Sequence, residues 1–401
     1  MIPQIKIEDY DYELPSARIA KYPLSERDAS NLLVYKNGEC SDYIFKELPD
    51  LLPEGALMVF NDTKVVPARL FFKRASGAHI EIFCLEPDTP AEYNINFAQT
   101  ESCRWKCVIG NSKRLKEYEI LTLDTDSEEL KGIEPTAKLI SREGQTGIVE
   151  FAWKGGAPFS QVLEICGRIP IPPYLNRDTE AIDLERYQTT YARIRGSVAA
   201  PTAGLHFTPR TLAAIKARGI ETETVCLHVG AGTFLPVKSS EISGHTMHRE
   251  PFSVSRELIG KLADKKAPLV AVGTTSVRTL ESLYYAGLSC IRNGSPEEVG
   301  QWDPYTGENN AETSEALKAL ADYLDRKGLD HLRLGTRIII VPGFKFRLVD
   351  ALVTNFHQPQ STLLLLISAF VGGDWQTIYR HALDNGYRFL SYGDSSLLFR
   401  R

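Results

Sequence analysis

Long apolar runs are missing from this chain: nothing in its 401 residues approaches the roughly 20 consecutive apolar positions that span a bilayer. The longest candidate, around Leu363 to Val371, is about half that length and reads as a buried helix. The first ten residues carry early acids, Glu8 and Asp9, in place of the apolar segment of a secretory signal, so a cytoplasmic protein with no membrane partner is expected. The seven cysteines are odd in number and scattered from Cys40 to Cys290, which argues against a disulfide framework and for reduced, mostly buried thiols. Metal-ligand spacing is also lacking. Cys103 and Cys107 are followed by Gly110 where an iron–sulfur pattern would place a third thiolate, and His245 and His248 have no third ligand near them, so no metal is expected. There is no Walker lysine motif and no Gly-x-Ser-x-Gly elbow, and Gly230-Ala-Gly-Thr-Phe-Leu235 lacks the third glycine of a dinucleotide loop. A net charge of -5 excludes a global pull toward nucleic acid, which leaves two local basic clusters: Lys113 with Arg114 and Lys116, and Arg186 with Arg193 and Arg195.

Length suggests two or three domains, and a content of 43% hydrophobic and 24% charged residues fits a globular protein. The first third is rich in short strand-like runs: Leu32–Tyr35, Leu57–Phe60, Arg69–Phe72, His79–Leu85, Arg104–Ile109, Glu119–Leu123 and Gly147–Trp153. From about 71 to 153 no helical period is sustained, so this stretch is expected to form a small antiparallel barrel or sandwich, with the acidic segment 122–134 as a loop within it. After Pro158 helix and strand alternate. Helices are expected over Phe159–Cys166, 209–218, 254–263, Val277–Tyr285 and from Ser361 through Phe370; strands over Glu223–His228, Leu269–Val272, Thr336–Val341 and Arg347–Thr354; and a polar, glycine-rich loop over 288–310.

Polar side chains gather in the loops between these elements. Ala200–Phe207 carries Pro201, Thr202, Gly204 and His206, suits neither helix nor strand, and leads into a helix that Thr208 can cap, Pro209 can open and Gly219 can end. Free amides at such a helix start suit an anionic or carbonyl ligand. Asn61-Asp62-Thr63-Lys64, followed by Pro67-Ala68-Arg69, reads as a ligand loop or as an Asx turn. Gly273-Thr-Thr-Ser-Val-Arg278 follows a short buried strand, where α/β proteins bind ligands; the plainer alternative is a helix cap with an Arg278–Glu281 pair. Thr354-Asn-Phe-His-Gln-Pro359 and Ser391-Tyr-Gly-Asp394 read as further site loops, or as a strand end and a turn. Singly, these segments point to an α/β enzyme with a polar substrate.

Together they carry a resemblance. Arg186-Tyr-Gln-Thr-Thr-Tyr-Ala, Ala199-Ala-Pro-Thr-Ala-Gly-Leu-His-Phe-Thr, Gly273-Thr-Thr-Ser-Val-Arg-Thr-Leu-Glu-Ser and Thr354-Asn-Phe-His-Gln-Pro resemble the S-adenosylmethionine:tRNA ribosyltransferase-isomerase family. So do Phe60-Asn-Asp-Thr-Lys-Val-Val-Pro-Ala-Arg, Gly167-Arg-Ile-Pro-Ile-Pro-Pro-Tyr and Arg388-Phe-Leu-Ser-Tyr-Gly-Asp, so that the likeness runs nearly end to end. The chain departs from the family pattern at Asp42, Ala351, Gln358 and Gln360 and in an expanded 288–310 loop. The resemblance implies an α/β body of mixed sheet and flanking helices, residues 1–70 and 154–401, interrupted by an antiparallel β-barrel at 71–153. It implies an enzyme of queuosine biosynthesis with S-adenosylmethionine as co-substrate and no permanent cofactor. The ribosyl part of S-adenosylmethionine would pass to 7-aminomethyl-7-deazaguanine at the wobble position of the tRNA anticodon, giving epoxyqueuosine, adenine and methionine. The rivals are an S-adenosylmethionine-dependent RNA methyltransferase and a non-catalytic RNA-binding protein. A monomer is expected, since neither a heptad pattern nor a conspicuous exposed apolar stripe is visible.

That reaction sets chemical demands. An amine with the ordinary lysine-like pKa is neutral in only about one molecule in a thousand at pH 7, and making it neutral costs roughly 4 to 5 kcal/mol. The site also needs a base for the carbon beside the sulfonium and a proton for the departing adenine. His206, His357, Tyr187, Gln188 and Asp62 are therefore the expected catalytic and orienting groups. Thr202, Gly204, Thr274, Thr275, Arg278 and Asn355 are expected to hold S-adenosylmethionine, and Lys64, Arg69, Arg186, Arg193 and Arg195 to meet tRNA phosphates.

Overall fold

The computed structural model describes residues 2–111, 115–124, 132–144, 146–230, 237, 239–307 and 310–401. Continuous apolar segments make the middle of the body. Leu57–Asn61, Leu269–Val272 and Ala351–Asn355 are buried along their whole length, as strands covered on both faces must be. They sit at the centre of a nine-stranded mixed sheet. Its order from edge to edge is His331–Thr336, Glu250–Ser255, Glu221–Leu227, Leu57–Asn61, Leu269–Val272, Ala351–Asn355, Ser395–Phe399, Asn31–Lys36 and Glu39–Ile44. Leu57–Asn61 runs parallel to both Glu221–Leu227 and Leu269–Val272, and Leu269–Val272 runs parallel to Ala351–Asn355. The carboxyl ends of these central strands therefore meet at one edge. Ser395–Phe399 is antiparallel to Ala351–Asn355 with Asn355 opposite Ser395, which brings the preceding turn, Ser391–Asp394, to that same edge.

One face of the sheet is covered by the helix Thr274–Asn293, whose Val277, Leu280, Leu283 and Tyr284 are buried together with Leu317, Leu320 and Leu324 of the helix Thr313–Lys327. On the other face Phe45, Leu48, Phe207 and Ile215 pack against Met58, Phe60 and Val270. The helix Pro209–Ala217 starts as its sequence suggests, with the Thr208 hydroxyl accepting from the Thr211 amide; Ser361 caps Thr362–Phe370 in the same way. Gly219 follows the first of these at φ +72°, the left-handed conformation that suits glycine at a helix end.

Six further strands between Arg69 and Ala152 close into an antiparallel barrel, in the order Thr146–Ala152, Ser102–Ile109, His79–Thr89, Arg69–Lys73, Ile120–Leu123 and Thr136–Glu143. Alternation builds it. Along Ser102–Ile109 the residues Cys103, Trp105, Cys107 and Ile109 are buried while their neighbours are partly exposed, the pattern of a strand with one face in a core. The barrel joins the body through reciprocal backbone hydrogen bonds between Arg69 and Arg168, 3.2 and 2.8 Å. A Cβ at Gly167 would stand 1.8 Å from the Pro67 carbonyl oxygen, so only glycine fits this joint.

Several sequence expectations are corrected. The helix expected to end at Tyr285 continues to Asn293 and stops at Gly294 in the left-handed conformation, and a helical turn occupies Asp303–Thr306, so 288–310 is not simply a loop. Val254 and Ser255 end a strand, with the Ser255 hydroxyl capping the helix Arg256–Ala263. The apolar run after Thr336 reads as a strand but leaves the ladder: Arg278 and Tyr305 side chains take the Ile338 and Ile339 carbonyls instead. Arg347, Leu348 and Val349 likewise donate their amides to the Glu281 carboxylate, so the strand begins only at Ala351. Glu281 is thus not the partner of Arg278. Lys113, Arg114, most of Gly230–Leu235 and part of 122–134 lie outside the described residues.

Candidate active site

A cleft of about 400 Å³ opens where the central strands end, within the size range of small-molecule sites, roughly 300 to 1,000 Å³. Its walls come from Ala199–Ala203, Gly273–Thr275 with Arg278, Thr354–Thr362, Gly244–His248 with Glu250, and Ile338–Ile340. Apolar atoms make most of its surface, with polar side chains from all of these segments except Ile338–Ile340 set among them.

One end is built for an anion. Gly273 takes φ +86°, which lets the chain turn directly from the strand Leu269–Val272 into the helix Thr274–Asn293. The first intrahelical bond runs from Val277 to the Gly273 carbonyl, so the amides ahead of it have no helical acceptor and sit at the positive end of a twenty-residue helix. Arg278, 8% exposed, stands one turn in. It donates to Glu250, 4% exposed, and through Nε to the Ile338 carbonyl at 3.2 Å. Its Nη2 is buried and has no hydrogen-bond partner among the described residues. A buried guanidinium nitrogen left open one turn from a helix start has the chemistry to bind a carboxylate.

The polar end is held by two histidines and an asparagine. Asn355, 4% exposed, donates from Nδ2 to the Asp394 carbonyl at 3.4 Å and to His206 Nε2 at 3.1 Å. Because the Asp394 carbonyl can only accept, Nδ2 is fixed as the donor, and His206 Nε2 must be the acceptor. His206 therefore carries its proton on Nδ1, bonded to the Ser30 hydroxyl at 2.8 Å. Burial pushes its pKa down to about 4, so it is neutral at pH 7. The Asn355 Oδ1 is buried with no partner among the described residues, and Asn355 lines the cleft. His357 lines the cleft itself; burial also lowers its pKa to about 4. Among the described residues its ring nitrogens make only long contacts, 3.4 Å each, to the Thr354 and Tyr379 hydroxyls, while Tyr379 and Tyr12 fix its backbone.

The expected site residues divide accordingly. Thr202, Tyr187, Thr274, Thr275, Arg278, Asn355 and His357 line the cleft. His206 stands behind Asn355 and lines a small adjoining pocket instead. Tyr187 is fully buried with Ser391 and the Ala200 backbone beside its hydroxyl, and burial raises its pKa well above the usual value. Gln188 spends both ends of its amide on the Val65 backbone, 3.0 and 2.8 Å, and clasps two segments together. Gly204 is required by packing: a Cβ there would lie 1.9 Å from the Tyr191 hydroxyl. Asp62 is buried off the cleft, where desolvation raises its pKa against the pull of Thr224 and Arg193.

The basic residues also separate. Lys64 and Arg195 are register partners in a two-stranded parallel ladder of Thr63–Val65 and Ile194–Ser197, with Arg193 one residue before it. Arg69 pairs with Glu81 at 2.5 Å and Arg195 with Glu164 at 2.8 Å. Arg186 lies elsewhere, beside Arg27. Sequence reasoning missed Glu250, the wall Ile338–Ile340 and the cleft role of His245 and His248, whose only signal was a polar loop; of the departures from the family pattern, Gln358 and Gln360 line the cleft.

A mixed α/β fold with a cleft at the ends of its central strands, lined by Arg278, Asn355 and a neutral His357, has the form of an enzyme for a small substrate that carries polar groups. The profile of the family described as queuosine biosynthesis protein matches residues 7–398, and the chain belongs to that family. It is 40% identical over 402 residues to the S-adenosylmethionine:tRNA ribosyltransferase-isomerase of Anaeromyxobacter sp. (strain Fw109-5), covering 99% of each chain. It is 38% identical to the protein of the same name from Pelobacter propionicus, covering 98% of this chain and 99% of that one. A crystal structure of S-adenosylmethionine tRNA ribosyltransferase from Thermotoga maritima aligns with a TM-score of 0.46 and 29% identity over 98% of this chain and all of that one.

Proposed function

We propose that this chain transfers and isomerises the ribosyl part of S-adenosylmethionine onto 7-aminomethyl-7-deazaguanine at the wobble position of tRNA, releasing adenine and methionine and leaving epoxyqueuosine. It does so as a cytoplasmic monomer, with an α/β body (1–70 and 154–401) and the barrel (71–153) as an insert. The observation that carries the reading is the open Nη2 of Arg278 beside the start of the helix Thr274–Asn293. The amino-acid end of S-adenosylmethionine supplies the carboxylate that this receptor lacks, with Thr274, Thr275 and Thr202 lining the same cleft.

With its carboxylate there, the sulfonium and ribose extend toward Asn355 and His357. His357 is neutral at pH 7 and can take a proton from the carbon beside the sulfonium. A histidine with so low a pKa is a reluctant base but, once protonated, a strong acid, and it can pass the same proton to a nitrogen of the departing adenine. Neither histidine is a proton donor before that step. Asn355 offers Oδ1 to the amine or to the exocyclic amino group of adenine, and His206 fixes its orientation from behind. Lowering the amine's pKa falls to the apolar cleft, which disfavours an ammonium. Lys64 and Arg193 remain for tRNA phosphates, whereas Arg69 and Arg195 would first give up their carboxylate partners.

Incubation with S-adenosylmethionine and tRNA carrying the aminomethyl base, followed by chromatography for free adenine, tests the reading. Adenine equal to the tRNA consumed is expected; S-adenosylhomocysteine in its place would sink it.

A further inference from the structure

Behind His206 the molecule holds a second, much smaller recess, and its walls are cationic. Arg27, Arg186 and Arg388 line it with His206, Ser391 and Tyr392, and Ser391 is shared with the main cleft. Its volume, about 20 Å³, admits the oxygens of an anion and excludes a base or sugar. Arg388 is balanced by Asp394 at 3.0 Å. Arg27 and Arg186 are bonded mainly to backbone carbonyls, which carry no net charge. Arg27 donates to Leu205 at 3.1 Å, to Glu185 at 3.0 Å and to Arg186 at 3.5 Å, and Arg186 to Leu24 at 2.6 Å and Ser25 at 3.3 Å. The Nε of Arg186 is buried with no partner among the described residues.

The pair is held together against its own repulsion. Burial and the neighbouring Arg186 charge both lower the pKa of Arg27, and the Glu185 charge offsets them only in part. Asp183, the nearest fully buried acid on the same helical turn, is already taken by Arg177 at 2.8 Å and by the Tyr392 hydroxyl. Two half-buried guanidinium groups fastened side by side by carbonyls form a preset anion receptor. It adjoins the cleft through the Ser30–His206–Asn355 chain.

We propose that Arg27 and Arg186, with Arg388 across the recess, hold a phosphodiester of the RNA backbone next to the nucleotide whose base enters the cleft. This rests on the tRNA reading above. RNA backbone is favoured over a free phosphate because the recess opens beside the site where the modified nucleotide must sit, and phosphate contacts are what set the register of a nucleic acid on a protein. The contact fixes where the strand lies and leaves the chemistry to the cleft.

The test uses an anticodon stem-loop RNA carrying the aminomethyl base, in versions with a neutral methylphosphonate at each backbone position flanking that nucleotide. Binding is measured against salt for the wild type, Arg27→Gln, Arg186→Gln and Arg27→Lys. One flanking methylphosphonate is expected to weaken wild-type binding about tenfold and to cost Arg27→Gln nothing further. The slope of log affinity against log salt should fall by about 0.7 to 0.9 in the glutamine variants. Arg27→Lys keeps the charge but loses the carbonyl fork, so it should retain the wild-type slope; a merely structural arginine would make it behave like the glutamine variant. Should the glutamine variants fail to fold, the scan on the wild type alone decides. Uniform affinity across all flanking positions, or an unchanged slope in folded variants, overturns the proposal. If the wild type binds the RNA in this way but releases no adenine from it with S-adenosylmethionine, the activity reading fails and the phosphate subsite stands.

Discussion

Arg278→Met removes the guanidinium from the anion end of the cleft while keeping much of the side chain's length. Two consequences separate cleanly. For stability, loss of one member of a buried ion pair costs about 3 to 5 kcal/mol, and Arg278 and Glu250 are both buried. Replacing the two together, Arg278→Met with Glu250→Met, should return most of that loss, because a buried pair exchanged for apolar groups is close to neutral. For substrate, Arg278 Nη2 has no other partner among the described residues, so the carboxylate bond it makes is worth about 1.5 to 3 kcal/mol. That corresponds to a factor of about 10 to 150 in kcat/KM. Comparing S-adenosylmethionine with its decarboxylated analogue cancels effects common to both. The wild type should prefer the carboxylate-bearing form by that factor, and the single and double variants should show a preference near unity. A preference retained by the double variant would refute Arg278 as the carboxylate receptor whatever its effect on folding.

Three further outcomes follow from the same geometry. His206 is held at a pKa of about 4, below its unfolded value of about 6.5, so the unfolded chain takes up the proton first and stability is lost as pH falls through that window, by about 2 kcal/mol between pH 7 and pH 5. Urea unfolding of His206→Gln should show that much less loss than the wild type over the same interval; an equal loss would place the proton elsewhere. If His357 is the base, log kcat should bend downward only as pH approaches about 4, and a limb near the ordinary histidine value of about 6.5 would exclude it. Gly204→Ala drives a methyl into the Tyr191 hydroxyl and should cost about 1 to 3 kcal/mol as an overpacked core; adding Tyr191→Phe should recover a good part of that in a thermal melt, and no recovery would make the Thr189 Cγ2, 2.8 Å from the same Cβ, the contact that sets the cost.

Local patterns carried much of this architecture. Short strand-like runs made the barrel readable, and Thr208 and Ser361 marked helix starts because each acts on its own neighbours, whereas the helix expected from Val277 begins at Thr274. Whatever depended on a distant partner was hidden. Nothing near Arg278 indicates that its carboxylate is Glu250, or that Glu281, three residues on, is turned to cap the amides of Arg347–Val349. Ile338–Ile340 looks like a strand because the side chains that take its carbonyls lie far away in sequence. In the candidate site, the loop motifs brought Thr202, Thr274, Thr275, Asn355 and His357 to notice, and all of these line the cleft. They could not tell which of two histidines faces the cleft, a distinction made by Ser30 and Asn355 from opposite ends of the chain. Gln188 and Gly204 resemble ligand residues in sequence and are taken up by backbone clasping and close packing.

The origin of the transferred atoms tests ribosyl transfer most directly. S-adenosylmethionine is labelled either in its ribose carbons or in its methyl group, and each form is incubated with tRNA bearing the aminomethyl base. The ribose label should appear in the RNA in equal amount to the adenine released, with the methyl label leaving as methionine. Methyl label retained in the RNA, with the ribose label left on S-adenosylhomocysteine, would contradict the assignment.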